Sequence, residues 1–305
     1  MKAVDVAVAG DLFLDLILSG IDCWPEPGRE SFAREFSKEA GGGAAITASG
    51  LAKLGLSTRL FGVVGAHDSE WLLARLRESG VDTSAIRLHD SEPTAFSVVA
   101  STANDRAFVT YQGANKMLPE VLRRAADAGE FSEARHVHLA CAPNLSGAFD
   151  LLDILHGHGC TVSLDVGWHT EWLDAPLAVA VLSHVDIFFP NEAEGLRITG
   201  TSDPDEALER FAASNISRVA LKLGCNGALL LWDGQVLRSG PQCVAPIDAT
   251  GAGDCFDAGF VYAWLAGRSP QECLDAANLC GALSTEARGG IAGFPSIDKL
   301  AQAWQ

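Results

Sequence analysis

The chain is short of positive charge. Its 305 residues hold 22 lysines and arginines against 39 aspartates and glutamates, a net charge of −17 with a pI near 4.7. Such a surface repels phosphate backbones and anionic lipid, so the composition argues against nucleic acid or a membrane surface as partner. Long apolar runs are also missing: no stretch reaches the roughly 18 uninterrupted apolar residues of a membrane span. The N-terminus, MKAVDVAVAGDLFLDLILSG, is apolar, but Asp5, Asp11 and Asp15 interrupt it and no basic segment leads into it, which argues against a signal peptide. The eight cysteines are scattered with no CxxC pair, so reduced thiols in a cytoplasmic protein are expected rather than a disulfide framework or a zinc site. His136 and His138 share no metal spacing with the other histidines and read as core residues of a strand.

Two common phosphate-binding signatures are absent as well. There is no GxxxxGK[ST], which excludes a P-loop, and no GxGxxG between a first strand and helix, which leaves a dinucleotide-binding dehydrogenase weakly supported. If phosphate binds, helix N-termini, a few cations or a metal must hold it.

What is present is an alternation. Strand candidates at 4–9, 58–64, 136–140, 161–165, 185–189 and 217–222 are separated by helical stretches such as 47–54 and 69–79. The C-terminal third turns helical over 251–267, 270–286 and 296–302. Alternation of this kind predicts an α/β protein of doubly wound type, a mostly parallel sheet covered on both faces. Two pieces break the pattern. TAFSVVASTANDRAFVTYQG, 94–113, reads as a hairpin turning at Asn104 and Asp105, and the stretch from Leu16 to Glu39 carries Pro25, Pro27 and Gly28 near its middle. Long insertions in a compact domain are usually functional, so these two, about 16–40 and 93–114, are expected to form a small β-sheet lid on a single domain spanning 1–305.

The chemistry concentrates in DATGAGDCFDAGF, 248–260. Beyond Gly251 the apolar spacing becomes helical, with Phe256, Phe260, Ala263 and Trp264 on one face, so Gly251, Ala252 and Gly253 sit at a helix N-terminus. Bare backbone there offers unpaired N–H groups to an anion. Asp254 follows at once, and a carboxylate beside a bound phosphate makes sense as acceptor of the proton from an attacking hydroxyl. A tight turn followed by an ordinary first-turn acid is the alternative for these letters taken alone.

Together with three further motifs, this stretch resembles the ribokinase-like (PfkB) family of sugar and nucleoside kinases over nearly the whole chain. The family's D-[TA]-[TA]-G-A-G-D signature is matched by Asp248 to Asp254, its GG pair before a helix ending in LG by Gly41-Gly42 through Leu54-Gly55, and its NxxE by Asn191 to Glu194. A substrate aspartate after the first strand is matched by Asp15. The resemblance implies that Asp254 is the base and Gly251, Ala252 and Gly253 the anion hole. It implies that Asp15, Gly41, Gly42 and position 46 face the sugar, and that Lys222, Gly224, Asn278 and Gly289 (with Gly290 beside it) face ATP. Asn191 and Glu194 would hold Mg²⁺, partly through water, and Asp248 and Thr250 a monovalent cation such as K⁺. Asp165 matches a strand-end aspartate of the family. The chain departs from the pattern at Ile46, where an asparagine usually touches substrate, and at Gly43, often lysine. An ATP-dependent kinase acting on a hydroxyl of a small unphosphorylated sugar is the expectation, with the lid as the surface through which a homodimer would form. The competing readings are a nucleoside kinase using Phe13, Trp24 and Phe108 around a base, and a non-catalytic sugar or nucleotide sensor, which would need no proton acceptor.

Overall fold

The protein is described here from a computed structural model covering residues 2–24, 26–102 and 106–302. Thirteen strands are seen among these residues: β1 (Val4–Gly10), β2 (Phe13–Ser19), β3 (Glu35–Gly41), β4 (Thr58–Gly65), β5 (Ile86–His89), β6 (Phe96–Ser101), β7 (Arg106–Tyr111), β8 (Ala134–Ala140), β9 (Thr161–Asp165), β10 (Ile187–Phe188), β11 (Arg218–Lys222), β12 (Ala228–Trp232) and β13 (Gln235–Ser239). Nine build one sheet in the order β13-β12-β11-β10-β9-β8-β1-β4-β5. From β11 to β5 every pairing is parallel, while β12 and β13 run antiparallel at one edge. Alternate residues of one strand enter different cores: Ala7 and Ala9 pack with Val137 and Leu139, whereas Val6 and Val8 pack with Leu60. That is the doubly wound arrangement the alternation predicts, since a parallel sheet must bury both faces.

Three details differ from the sequence reading. The helix expected from Thr47 begins at Gly43 and runs to Lys53, because Ala44 and Ala45, hidden in a glycine-rich stretch, are fully buried helical residues. The strand expected over 185–189 narrows to Ile187–Phe188. The β12–β13 hairpin turns at Asp233 and Gly234, both with positive φ (48° and 87°), the Asp-Gly signal of a two-residue turn.

The remaining four strands form a separate sheet of order β3-β2-β6-β7. It assembles from the two insertions expected to break the pattern, although β2 begins at Phe13, earlier than expected; the turn at Asn104 and Asp105 lies outside the described residues. Cross-strand register gives it two faces. Asp15, Ile17, Val99 and Phe108 share one, which lines a cavity of about 1030 Å³; Leu16, Leu18, Phe36, Val98 and Val109 share the other. Across the cavity stand Asp248, Ala249 and Thr250, just before the helix Ala252–Leu265.

Candidate active site

Parallel strands β9, β10 and β11 end side by side, and their C-terminal ends deliver Asp165, Asn191 and Lys222 to one place; Asn191 forms a bridge with Lys222. Ligands gather at such ends because strand C-termini and helix N-termini converge there. The N-terminus of the helix Ala252–Leu265 faces them. Its cap, Gly251, adopts φ 75°, and a Cβ there would stand 2.8 Å from both the Gly290 Cα and the Ile46 Cδ1. Only glycine fits, and the first-turn N–H groups have no intrahelical partners. A Cβ on Gly253 would lie 3.4 Å from the Lys222 ammonium, so a cation backs the turn.

Asp254 occupies the first turn of that helix. A Cβ on Gly43 would meet its Oδ1 at 2.8 Å, which places the carboxylate against the start of the helix Gly43–Lys53. Thr47, fully buried, donates its hydroxyl to the Asp254 carbonyl at 3.2 Å and locks the two helices together. Burial, and next the negative charge of Asp165, push the Asp254 carboxyl up to about 7, with Glu194 adding to the rise and Lys222 opposing it. A carboxylate poised there can take or release a proton near neutrality.

Lys222 Nζ donates to Asp165 at 2.7 Å and to Asp257 at 3.2 Å. Burial works against its charge, yet Asp165, Asp257 and Glu194 hold the ammonium well above the usual lysine range. Sequence reasoning placed Lys222 toward ATP; the structure turns its side chain onto these acids, within reach of the anion turn. Asp257 was missed. The available signal was its i+3 spacing from Asp254, which puts both on one helix face. Asp165, Asp254 and Asp257 each bring a carboxylate oxygen within 4.8 Å of the others, and Lys222 already supplies two of them with positive charge.

Asn191 and Glu194 form a capping box on the helix Glu192–Thr199. The Asn191 amide N–H donates to Oε2 at 2.9 Å, its side chain donates to Oε1 at 2.7 Å, and the Glu194 N–H donates to Asn191 Oδ1 at 2.9 Å. Glu194 is 3% exposed, so its carboxylate is turned inward and not onto a solvated helix face. Burial, then Asp165, raises its carboxyl to about 7. Each oxygen keeps a further lone pair, and the group is short of positive charge, a donor set suited to a hydrated dication.

On the cavity side, Asp15 lies in β2 where Gly41 has no side chain; a Cβ on Gly41 would be 2.1 Å from Asp15 Oδ2. Burial, and next Glu39 directly opposite, push Asp15 up to about 6. Gly42 caps the helix Gly43–Lys53 at φ 93°. Ile46, expected to face sugar, is 4% exposed and packs its methyl groups on Gly251 and Gly290, so it shapes the anion turn from behind. Asp248 accepts from the Thr250 N–H and hydroxyl (2.9 and 2.7 Å) and from the Gly289 N–H (3.0 Å), which ties the 289 loop to the turn. Two further residues are expected at ATP. Asn278 donates to Gly240 O at 2.6 Å and Ser239 Oγ at 3.1 Å, holding the end of β13, and Gly224 lies in an exposed turn at φ 58°.

With this geometry in hand, the chain's likenesses can be stated. The model of the pfkB family carbohydrate kinases matches residues 2–297. The chain is 31% identical over 304 residues to the ATP-dependent ribose-1-phosphate kinase of Halopiger xanaduensis, covering 98% of this chain and 97% of that one. It is 29% identical over 280 residues to the 2-dehydro-3-deoxygluconokinase of Bacillus subtilis, covering 87% and 86%. Arabidopsis thaliana ribokinase, solved with ribose and ATP, superposes with a TM-score of 0.84 at 26% identity over 99% of both chains.

Proposed function

The chain belongs to the pfkB family of carbohydrate kinases, and on that premise we propose that it transfers the γ-phosphoryl group of ATP to a hydroxyl of a small unphosphorylated sugar. The observation that carries this reading is Asp254, raised to about 7, in the first turn of a helix that starts at a glycine with no side-chain cap. The sugar oxygen attacks the γ-phosphorus, its proton passes to the Asp254 carboxylate, and ADP leaves. The first-turn N–H groups of the helix Ala252–Leu265 stabilise charge on the transferring group, and Lys222 adds positive charge behind them. Asn191 and Glu194 would hold Mg²⁺ and its waters, which supplies charge neutralisation at the phosphates. Asp248 and Thr250 are the residues through which K⁺ would act, close behind the same turn.

The smaller sheet acts as the lid in this reading, closing over sugar held by Asp15, Gly41 and Gly42 and excluding water that would waste ATP. An uncharged substrate is supported by the charge around it. Asp15 and Glu39 face the sugar side, while the arginines bordering the cavity are already paired, Arg34 with Asp22 and Arg288 with Glu35. A buried phosphate would need cations those pairs do not leave over. Trp24 and Phe108 border the same cavity, so a nucleoside remains the second reading. A cytoplasmic location is supported by eight free thiols. Among the described residues no helix is long and apolar enough to cross a membrane.

Asp254→Asn should keep the fold and lose about 10²–10⁴-fold in rate, since the amide cannot accept the hydroxyl proton. In the wild type the acid limb of kcat/KM should have its midpoint near 7: protonation below it removes the base, so activity rises with pH through that value. Turnover of the variant within threefold of wild type, melting temperature unchanged, would dismiss Asp254 as base.

Glu194→Gln should raise the free Mg²⁺ needed for half-maximal rate by about tenfold while sugar KM stays within twofold. A Mg²⁺ titration at fixed ATP with an unmoved midpoint would reduce NxxE to its capping role. For the substrate, catalytic efficiency should be at least tenfold higher on neutral sugars than on their monophosphates; the reverse order would overturn the charge argument. The apolar outer face of the lid, with Phe36 65% and Val109 72% exposed, supports a homodimer through that sheet. Val109→Asp should then give monomers in sedimentation at concentrations where wild type sediments as a dimer, and a wild type that stays monomeric sinks this arrangement.

A further inference from the structure

Beneath Asp254, two carboxyl groups share a single ammonium. Asp165 receives Lys222 Nζ at 2.7 Å and the Gly167 N–H at 2.8 Å, and keeps 12% of its side chain exposed. Asp257 receives the same Nζ at 3.2 Å and is fully buried. Among the described residues the Asp257 Oδ2 has no hydrogen-bond donor. Facing it at 4.0 Å is His138 Nε2, also fully buried and also unpartnered. Behind His138 runs a closed chain of neutral groups: its Nδ1 meets Ser163 Oγ at 2.8 Å, Ser163 Oγ meets His136 Nε2 at 2.8 Å, and His136 Nδ1 meets Thr161 Oγ1 at 2.8 Å.

One lysine cannot neutralise two carboxylates in a dry site, and an ionised carboxylate cannot keep a bare oxygen against an uncharged imidazole. One of the two acids must therefore carry a proton. Asp165 has the closer lysine, a backbone donor and some solvent; Asp257 has none of these advantages. We propose that Asp257 works as a neutral carboxylic acid that donates its proton to Asp165, and that this shared proton positions Asp165 and Lys222 beneath Asp254 and keeps the floor of the phosphate site from becoming net negative.

The groups facing Asp257 come from every element around it: Asp165 on β9, Lys222 on β11, His138 on β8, and Asp254 one turn earlier on its own helix. Burial raises Asp257 well above the usual carboxylate range, and burial likewise lowers His138 to about 4, so the imidazole stays uncharged and offers no cation. Asp165 is held low, against burial, by Lys222 and by the hydrogen bond from Asp257. Charge is then even: one ammonium, one carboxylate, one acid. With both acids ionised, the triad would carry a net negative charge directly behind Gly253, where the anion is to bind. Asp257 is fully buried beneath Lys222, so it is a positioning residue, and the inference about its role rests on Asp254 being the base.

The first test does not depend on activity. Infrared difference spectra of wild type against Asp257→Asn should show the carbonyl stretch of a protonated carboxylic acid that persists from about pH 5 to about pH 9 and is lost in the variant. Absence of that band overturns the proposal whatever the enzyme's substrate proves to be. The second test is the pH profile. Asparagine keeps an N–H toward Asp165 and adds no charge, so Asp257→Asn should hold kcat/KM within about threefold with its acid limb unmoved. If Asp257 were ionised in the working enzyme, removing its charge would ease ionisation of Asp254 and move the limb down by about one unit, which refutes the proposal. Asp257→Leu removes the donor, leaves more negative charge on Asp165 facing Asp254, and should move the limb up by roughly half a unit or more with sugar KM unchanged. A folded Asp257→Leu with the wild-type limb assigns Asp257 to packing alone; should that variant not fold, the asparagine variant and the infrared band decide.

Discussion

A lysine buried at the end of a central strand has to find its countercharges, and most of the site follows from where it finds them. Lys222 belongs to β11, Asp165 to β9 and Asp257 to the helix Ala252–Leu265, so one ammonium ties two strands of the sheet to the helix whose N-terminus forms the anion turn. Removing one partner of such a buried pair typically costs about 3–5 kcal/mol, because the other charge is left unsolvated. The same ammonium keeps Asp254 from rising further, since it is the positive charge that opposes Asp165 and Glu194. Fold and chemistry thus draw on a single electrostatic constraint.

Around it, backbone without side chains does the positioning. At Gly41 the missing Cβ leaves room for the Asp15 carboxylate, and at Gly43 for Asp254. At Gly251 a left-handed φ and two close neighbours exclude any other residue. These glycines make room for Asp15, for Asp254 and for the helix start, and burial above all, with a like charge nearby in each case, lifts Asp15, Glu194 and Asp254 into a range where they exchange protons near neutrality.

The motifs carried much of this in advance. The alternation of strands and helices gave the doubly wound sheet, because apolar β-branched runs such as VDVAVAG have no other stable place than a sheet covered twice. The DATGAGD stretch located the helix start and its acid from local physics. The edge strands were harder to read. β5 has four residues, two of them exposed, and β12–β13 was overlooked although Asp233-Gly234 marked its turn. The burial of Glu194, 3% exposed, had no local signal in the NxxE letters, which alone show only a capping pattern.

By itself the sequence determined which residues carry charge, where glycine frees the backbone, and where a helix must begin after bare backbone, since these depend on neighbours a few positions away. It also determined the shortage of cations that an anionic substrate would need. Only the tertiary structure decided that Lys222 turns onto Asp165 and Asp257, that Ile46 packs behind Gly251, that Asn278 holds β13, and that His138 faces Asp257. Those pairings join residues 35 to 205 positions apart across separate strands and helices. Long-range pairings of this kind are set by how layers stack, and protonation follows from the burial that stacking creates, which no local pattern of residues encodes.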